Sequence, residues 1–305
     1  MIVNLPDTTT GEVARTLVHL REEGGAVALG RVLTLIIDAD ARDVEEAVAI
    51  TNDVSREHPM RVIVLARHGE GSDARVDAQI RVGGDAGASE VVLLRASGEM
   101  LEHSDTLVMP LLLPDAPIVA WWPREIPARP ADHPIGRMAQ RRITDSTACA
   151  DPLGTLQRLR DGYTDGDTDL AWTRLTVWRA LLAAALDLRP EDPVARVTVS
   201  GNETHPSVYL LAAWLAYTLR CPVDVVRQTE VSGLTEVVLE TPSGAIAIER
   251  PDGRTATLRH PDQPVRRVAM PLRELRECLS EDLRRLDADE VYGEVLRAGL
   301  EAVNS

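Results

Sequence analysis

Hydrophobic positions in the first half of the chain fall into short unbroken runs separated by amphipathic stretches. Residues 27–37 form a run rich in Val, Leu and Ile, the pattern of a strand buried on both faces. Residues 42–57 follow, with Val44, Ala47 and Val48 spaced for one face of a helix, and residues 61–66 (RVIVLA) form a second apolar run. Together they predict a β-α-β unit with parallel strands and a right-handed crossover. Residues 76–82 (VDAQIRV) alternate, as a half-exposed strand does, and residues 90–95 form a further strand. After a mixed stretch at 99–113, residues 118–122 read as a last strand, ending in Trp121-Trp122-Pro123.

Pro123, Pro127, Pro130 and Pro134 then predict a rigid connection, and the polar residues of 161–168 predict a turn. The second half opens with a helix over 169–186, capped by Asp167 or Thr168, with Leu175, Trp178, Leu182 and Ala185 on one face. A second β-α-β unit follows at 196–199, 206–219 and 223–227. Strands at 235–239, 245–250 and 254–260 are separated by Pro242-Ser-Gly244 and Pro251-Asp-Gly253, so they pair antiparallel. Pro271 can sit at the start of a helix striped by Leu272, Leu275, Leu279, Leu283 and Leu286, and a last helix covers about 289–303. The expected fold is α/β: two related mixed α/β domains, 1–165 and 166–305, each a β-α-β unit followed by antiparallel strands, with a helical C-terminus.

Composition narrows the function classes. The chain has no Phe and no Lys, so its core is aliphatic, its five Trp are scarce large anchors, and Schiff-base and P-loop lysine chemistries are absent. A net charge of −15 disfavours nucleic acid and anionic lipid as partners. The start of the chain lacks the basic and apolar regions of a signal peptide, and the apolar stretch 109–122 is broken by Pro110, Pro114, Asp115 and Pro117. A soluble, cytoplasmic protein is expected. Cys149, Cys221 and Cys278 are odd in number and lack zinc or redox spacing.

No GxSxG, GxxxxGK[ST] or HExxH motif occurs, and the seven His lack ligand spacing; no catalytic residue, cofactor or metal is expected. The cluster Gly83-Gly84-Asp85-Ala86-Gly87 lies between two strands and reads as a turn. Residues 200–205 (SGNETH) join a strand to a helix, at the sheet edge where open α/β folds bind ligands. Thr204 or Asn202 as a simple helix cap is one reading of this turn. The other is an anion site using Ser200, Asn202 and His205, which would make the protein a sugar-phosphate-binding enzyme or sensor.

Three stretches are less generic: Leu113-Pro-Asp-Ala-Pro-Ile-Val-Ala-Trp-Trp-Pro123, Arg141-Arg-Ile-Thr-Asp-Ser146, and the two-Trp segment running from Asp169 to Leu182. With the opening MIVNLPD and the closing residues 279–287 (LSEDLRRLD), the chain resembles the glucose-6-phosphate dehydrogenase assembly protein family, OpcA, over nearly its whole length. Its lysine-free, Ala-rich composition fits an actinobacterial member. The resemblance implies a non-catalytic protein that binds glucose-6-phosphate dehydrogenase. Such a protein would promote the enzyme's oligomeric assembly and allosteric activation, supporting NADPH production in the oxidative pentose phosphate pathway. Photosynthetic relatives are linked to thioredoxin control, but the three cysteines match no regulatory pair. Trp and Arg dominate interface hot spots, so Trp121, Trp122, Arg141, Arg142, Trp172 and Arg174 are the partner-interface candidates. Competing core roles stand beside them: Trp178 falls on an apolar helix face, Trp121 and Trp122 point to opposite faces of a strand, and Arg141 and Arg142 can pair with acids such as Asp145.

Overall fold

The computed structural model describes residues 1–23, 32–67, 75–83, 90–261 and 263–304. Residues 27–31 of the first expected strand, and Gly84, Asp85, Ala86 and Gly87 of the glycine cluster, lie outside them.

In chain order the elements begin with β1 (Ile2–Leu5), α1 (Thr10–Glu23), β2 (Leu33–Asp40), α2 (Val44–Val54), β3 (Met60–Arg67), β4 (Arg75–Arg81) and β5 (Glu90–Ser97). They continue with α3 (Ser104–Val108), β6 (Ile118–Trp122), α4 (Pro134–Met138), β7 (Arg141–Thr144), α5 (Pro152–Asp161), β8 (Asp167–Asp169), α6 (Leu170–Thr173) and α7 (Thr176–Leu186). Next come β9 (Arg196–Asn202), α8 (Pro206–Leu219), β10 (Val223–Gln228), β11 (Leu234–Thr241), β12 (Gly244–Glu249), β13 (Thr255–Arg259) and β14 (Arg266–Ala269). The chain closes with α9 (Leu275–Leu283), α10 (Glu290–Glu294), a π turn at Val295–Gly299 and α11 (Leu300–Asn304). Among the described residues no helix is long and apolar enough to cross a membrane.

The chain divides into two compact units, neither of them one continuous segment. The first comprises 1–145, 166–168 and 275–288; the second comprises 146–165, 169–274 and 289–305. The division therefore differs from a single boundary at residue 165. Three exchanges of chain explain it. Residues 166–168 lie beside β7, where the Arg142 amide donates to the Gly166 carbonyl (2.9 Å) and the Thr144 hydroxyl to the Thr168 carbonyl (3.0 Å). The α9 segment joins the first unit, where Ser280 donates to the Glu57 carboxylate (2.9 Å). Leu156 of α5 packs in the core of the second unit.

The first unit is built on a sheet of order β1-β4-β5-β3-β2-β6-β7-β8. Strands β5, β3, β2, β6 and β7 run parallel, while β4 pairs antiparallel with both β1 and β5. Antiparallel strands thus cover less of this unit than the sequence pattern predicts. The core lies between the sheet and its helices, with Ile36, Ile63, Leu94 and Trp122 from strands and Val13, Leu17, Leu107 and Ile135 from the rest. Helix α1 is held at its start by a reciprocal capping box. The Thr9 hydroxyl accepts from the Glu12 amide (3.3 Å) while the Glu12 carboxylate accepts from the Thr9 amide (3.2 Å).

The second unit has a sheet of order β10-β9-β11-β12-β13-β14. Strands β9 and β10 are parallel across α8, and β11 to β14 follow antiparallel, one strand more than expected. The helix expected from Pro271 begins only at Leu275. The preceding backbone is already committed to β13 and its turn, with the Met270 amide donating to the Arg254 carbonyl (2.7 Å) and the Leu272 amide to that of Gly253 (3.0 Å). The single helix expected over 169–186 is divided into α6 and α7 by a tighter turn, in which the Leu175 amide bonds to the Trp172 carbonyl (2.9 Å). Its cap is Asp169, whose carboxylate accepts from the Ala171 amide (2.9 Å), rather than Asp167 or Thr168. Trp172, Trp178, Leu182, Val199, Val208, Leu211, Val237 and Tyr292 make up the heart of this core.

Candidate functional site

In an open α/β sheet, ligands bind outside the carboxyl ends of the strands, at the point where strand order reverses. In the first unit that point lies between β2 and β6. The turn after β2 reads Asp40-Ala-Arg-Asp43, with no glycine to let a phosphate approach the backbone and two carboxylates to repel one. Asp38, near the end of β2, is buried and accepts from the Trp122 indole N–H (3.1 Å). It pairs with Arg67 at the end of β3 (3.0 Å), whose other arm meets Glu125 (3.0 Å). His133, just before α4, stands edge-on to Trp122, ring centroids 5.5 Å apart, with Nε2 3.7 Å from Asp38. These side chains pair with one another at the carboxyl ends of β2, β3 and β6.

Burial holds the His133 imidazole below its ordinary pKa; attraction to Asp38 opposes this, and the charges of Arg67 and Arg137 reinforce it. A histidine depressed in the folded state is neutral in both states at high pH. As pH falls through the unfolded value of about 6.5, the unfolded chain takes the proton first and stability declines. Stability to thermal unfolding should therefore fall as the pH drops from about 7.5 to about 5, and His133→Gln should flatten that slope. A slope identical to wild type would remove His133 as a contributor.

The segments that prompted an interface reading are mostly interior. Trp121 and Trp122 point to opposite faces of β6, and both are buried. Trp122 packs under His133 of the proline-rich segment. Arg141 is buried, with one arm on Asp282 (2.9 Å) and another on the Asp287 carbonyl (2.8 Å). Arg142 is buried against Asp167 and donates to the Ala139 carbonyl (2.8 Å). Trp172 is buried; its indole donates to Asp289 (2.8 Å), the Arg179 guanidinium lies 3.8 Å over its ring, and Tyr292 stands 5.9 Å away. Trp178 is core, as its helical period predicts. Of the six interface candidates, only Arg174 is partly exposed, donating to the Thr147 hydroxyl (3.1 Å). The other five are anchored inside their own units, because each strand face or charged group finds its complement there.

The turn 200–205 divides by role. Ser200 is buried and donates to Glu236 (3.3 Å). Asn202 donates to the Val231 carbonyl (2.8 Å) and its side-chain oxygen accepts from the Thr204 amide (2.9 Å), which closes the turn. Gly201 has to be glycine: a Cβ there would stand 2.7 Å from the Gly233 carbonyl and from a Val208 methyl. His205 is the cap of α8, its Nδ1 accepting from the Ser207 amide (3.3 Å), which leaves the ring proton on Nε2.

His205 also borders a cleft of about 220 Å³ in the second unit. Arg174, Trp178, Ser207, Arg250 and Arg273 share its wall, and no lining residue is acidic. Only His205 of the expected ligand turn faces this cleft. Arg250 and Arg273 arrive from the end of β12 and from the segment after β14, two places with no local signature in sequence. Among the described residues, no group of three or more His, Cys, Asp or Glu side chains could hold a metal. Burial pushes the Cys221 thiol up, the opposite of what a reactive thiolate requires.

Comparison with known proteins supplies what the clefts alone do not. Residues 51–161 match the family described as glucose-6-phosphate dehydrogenase subunit N-terminal domain, and residues 165–296 match the corresponding C-terminal domain. An OxPP cycle protein OpcA of Synechococcus elongatus is 32% identical over 196 residues, covering 58% of this chain and 43% of that protein. One from Nostoc punctiforme is 27% identical over 209 residues, covering 62% and 44%. The chain thus spans less than half the length of these curated relatives. Among solved structures, a 3-ketoreductase of Actinomadura kijaniata aligns with TM-score 0.48 at 10% identity, covering 90% of this chain and 97% of that one. A Gfo/Idh/MocA family oxidoreductase of Vibrio cholerae aligns with TM-score 0.46 at 8% identity, covering 88% and 96%. No reading of activity or cofactor follows from likeness at that level.

Proposed function

The chain belongs to the glucose-6-phosphate dehydrogenase subunit family to which the OpcA proteins belong, and from that premise we propose that it is a non-catalytic partner of glucose-6-phosphate dehydrogenase. In this reading it binds the enzyme, promotes its oligomeric assembly and favours its active conformation, which supports NADPH production. The observation that carries the proposal is the tandem of two family domains over 51–161 and 165–296. The mutual pairing of Asp38, Arg67 and Trp122 at the carboxyl ends of their strands, where an open sheet would seat a cofactor, supports the non-catalytic part.

An activator of this kind shifts its partner only by binding the active form more tightly than the inactive one. The buried Trp and Arg side chains act indirectly, by fixing the surface that meets the enzyme, and Arg174 is the member of that set available for contact. Steady-state kinetics of the same organism's dehydrogenase, titrated with this chain, tests the proposal. A saturable rise in kcat or fall in KM is expected. Unchanged kinetics across the titration would reduce the protein to a scaffold and defeat the activation reading.

A further inference from the structure

We propose that the cleft walled by Arg174, Arg250, Arg273 and His205 is a binding site for a small phosphorylated organic anion, of the size of a sugar monophosphate. The inference does not depend on the dehydrogenase partnership.

The cleft runs against the composition of the chain. Acidic side chains outnumber basic ones 48 to 33, yet the residues lining this wall include three arginines and no acid; Arg273 donates to the Thr173 carbonyl (2.8 Å) and Arg174 to the Thr147 hydroxyl (3.1 Å). Arg250 is the most telling. It is only 6% exposed, and among the described residues it forms no ion pair. Its arms reach the Met270 and Leu234 carbonyls at 3.3 and 3.2 Å, Nε has no hydrogen-bond partner, and the group stands 5.1 Å over Trp178. The acid nearest in sequence, Asp252, accepts from the Arg254 and Thr255 amides (both 2.8 Å), holding its own turn. A buried cation with no carboxylate in contact is costly, and burial lowers the pKa of this one, with attraction to Asp252 opposing it only in part. An anion in the cleft would satisfy it.

The rest of the wall fits the same ligand. Ser207 is in the first turn of the fourteen-residue helix α8, whose N-terminal end favours negative charge. His205 presents a protonated Nε2 when its Nδ1 caps that helix. Guanidinium groups suit phosphate geometry. Leu175, Trp178 and Leu272 supply the apolar surface on which a carbon skeleton can rest. At about 220 Å³ the space suits a small metabolite and is below the usual range for larger ligands.

Calorimetry on the full chain, with Trp fluorescence as a second readout, tests the site using three probes: inorganic phosphate, glucose 6-phosphate and glucose. Saturable binding of glucose 6-phosphate is expected, with weaker binding of phosphate and none of glucose. Arg273→Gln, at a partly exposed position, should weaken the ester by about tenfold or more while leaving the circular dichroism spectrum unchanged. Arg250→Met, checked for folding in the same way, should weaken it further. Absence of saturable binding of phosphate or its ester up to about 10 mM, equal binding of glucose, or affinity unaltered in Arg273→Gln would each overturn the assignment.

Discussion

Glu90→Gln should destabilise the protein by about 3–5 kcal/mol, among the largest losses open to a single isosteric change in this fold. Glu90 begins β5 and is 1% exposed. Two arginines converge on it: Arg61 of β3 through Nε (2.9 Å) and Nη2 (2.8 Å), and Arg21 of α1 through Nε (3.2 Å) and Nη2 (2.7 Å). Arg61 is also buried, with its remaining arm on the Leu111 carbonyl (2.6 Å). Neutralising the carboxylate leaves the Arg61 charge inside an apolar region, and breaking one side of a buried pair costs more than the pair contributes. The double variant Arg61→Met/Glu90→Leu should recover much of the loss. Urea unfolding midpoints of the three proteins check this. A single variant within about 1 kcal/mol of wild type would show that the network is not stabilising.

The second large effect is Trp172→Ala in the other unit, expected to cost about 3–5 kcal/mol. The side chain fills the core beside Tyr292 and gives Arg179 a ring to stack on. Its indole N–H also engages Asp289, whose second oxygen caps α10 by accepting from the Tyr292 amide (3.0 Å). Truncation removes the volume, the stacking surface and the tie to the closing helices together. Trp172→Phe keeps most of the volume and should lose about 1.5–3 kcal/mol through the charged hydrogen bond alone. If the Ala variant were no less stable than the Phe variant, packing would not be the main contribution.

Period and punctuation explain how much of this was readable beforehand. The runs 61–66 and 118–122, the alternation at 76–82 and the helical face of 206–219 all declare themselves locally, and each became the expected element. Helix α1 was not anticipated, although Thr9-Thr-Gly-Glu12 ahead of Val13 and Leu17 is a capping-box signature. Neither was α5, although Asp151 precedes Pro152 and caps the helix by accepting from the Gly154 amide (3.0 Å). The exchange of segments between units was not readable. It rests on pairs such as Arg141 with Asp282, far apart in sequence and joined only by the tertiary fold. The same reason hid the arginine cleft: the strand–helix turn pointed to His205, whereas Arg250 and Arg273 reach it from elements that look like ordinary surface hairpin and linker. The tryptophans misdirected the interface reading because scarcity marks a large side chain without telling which side of the surface it lies on. Both faces of β6 are covered, so Trp121 and Trp122 are both interior.

The partner proposal is tested most directly by sedimentation velocity on the full chain mixed with glucose-6-phosphate dehydrogenase of the same organism at micromolar concentration. The account predicts a new, faster boundary that contains both proteins and a shift of the dehydrogenase towards its higher oligomer. Two boundaries that sediment as the separate proteins do, unchanged over the concentration series, would contradict it.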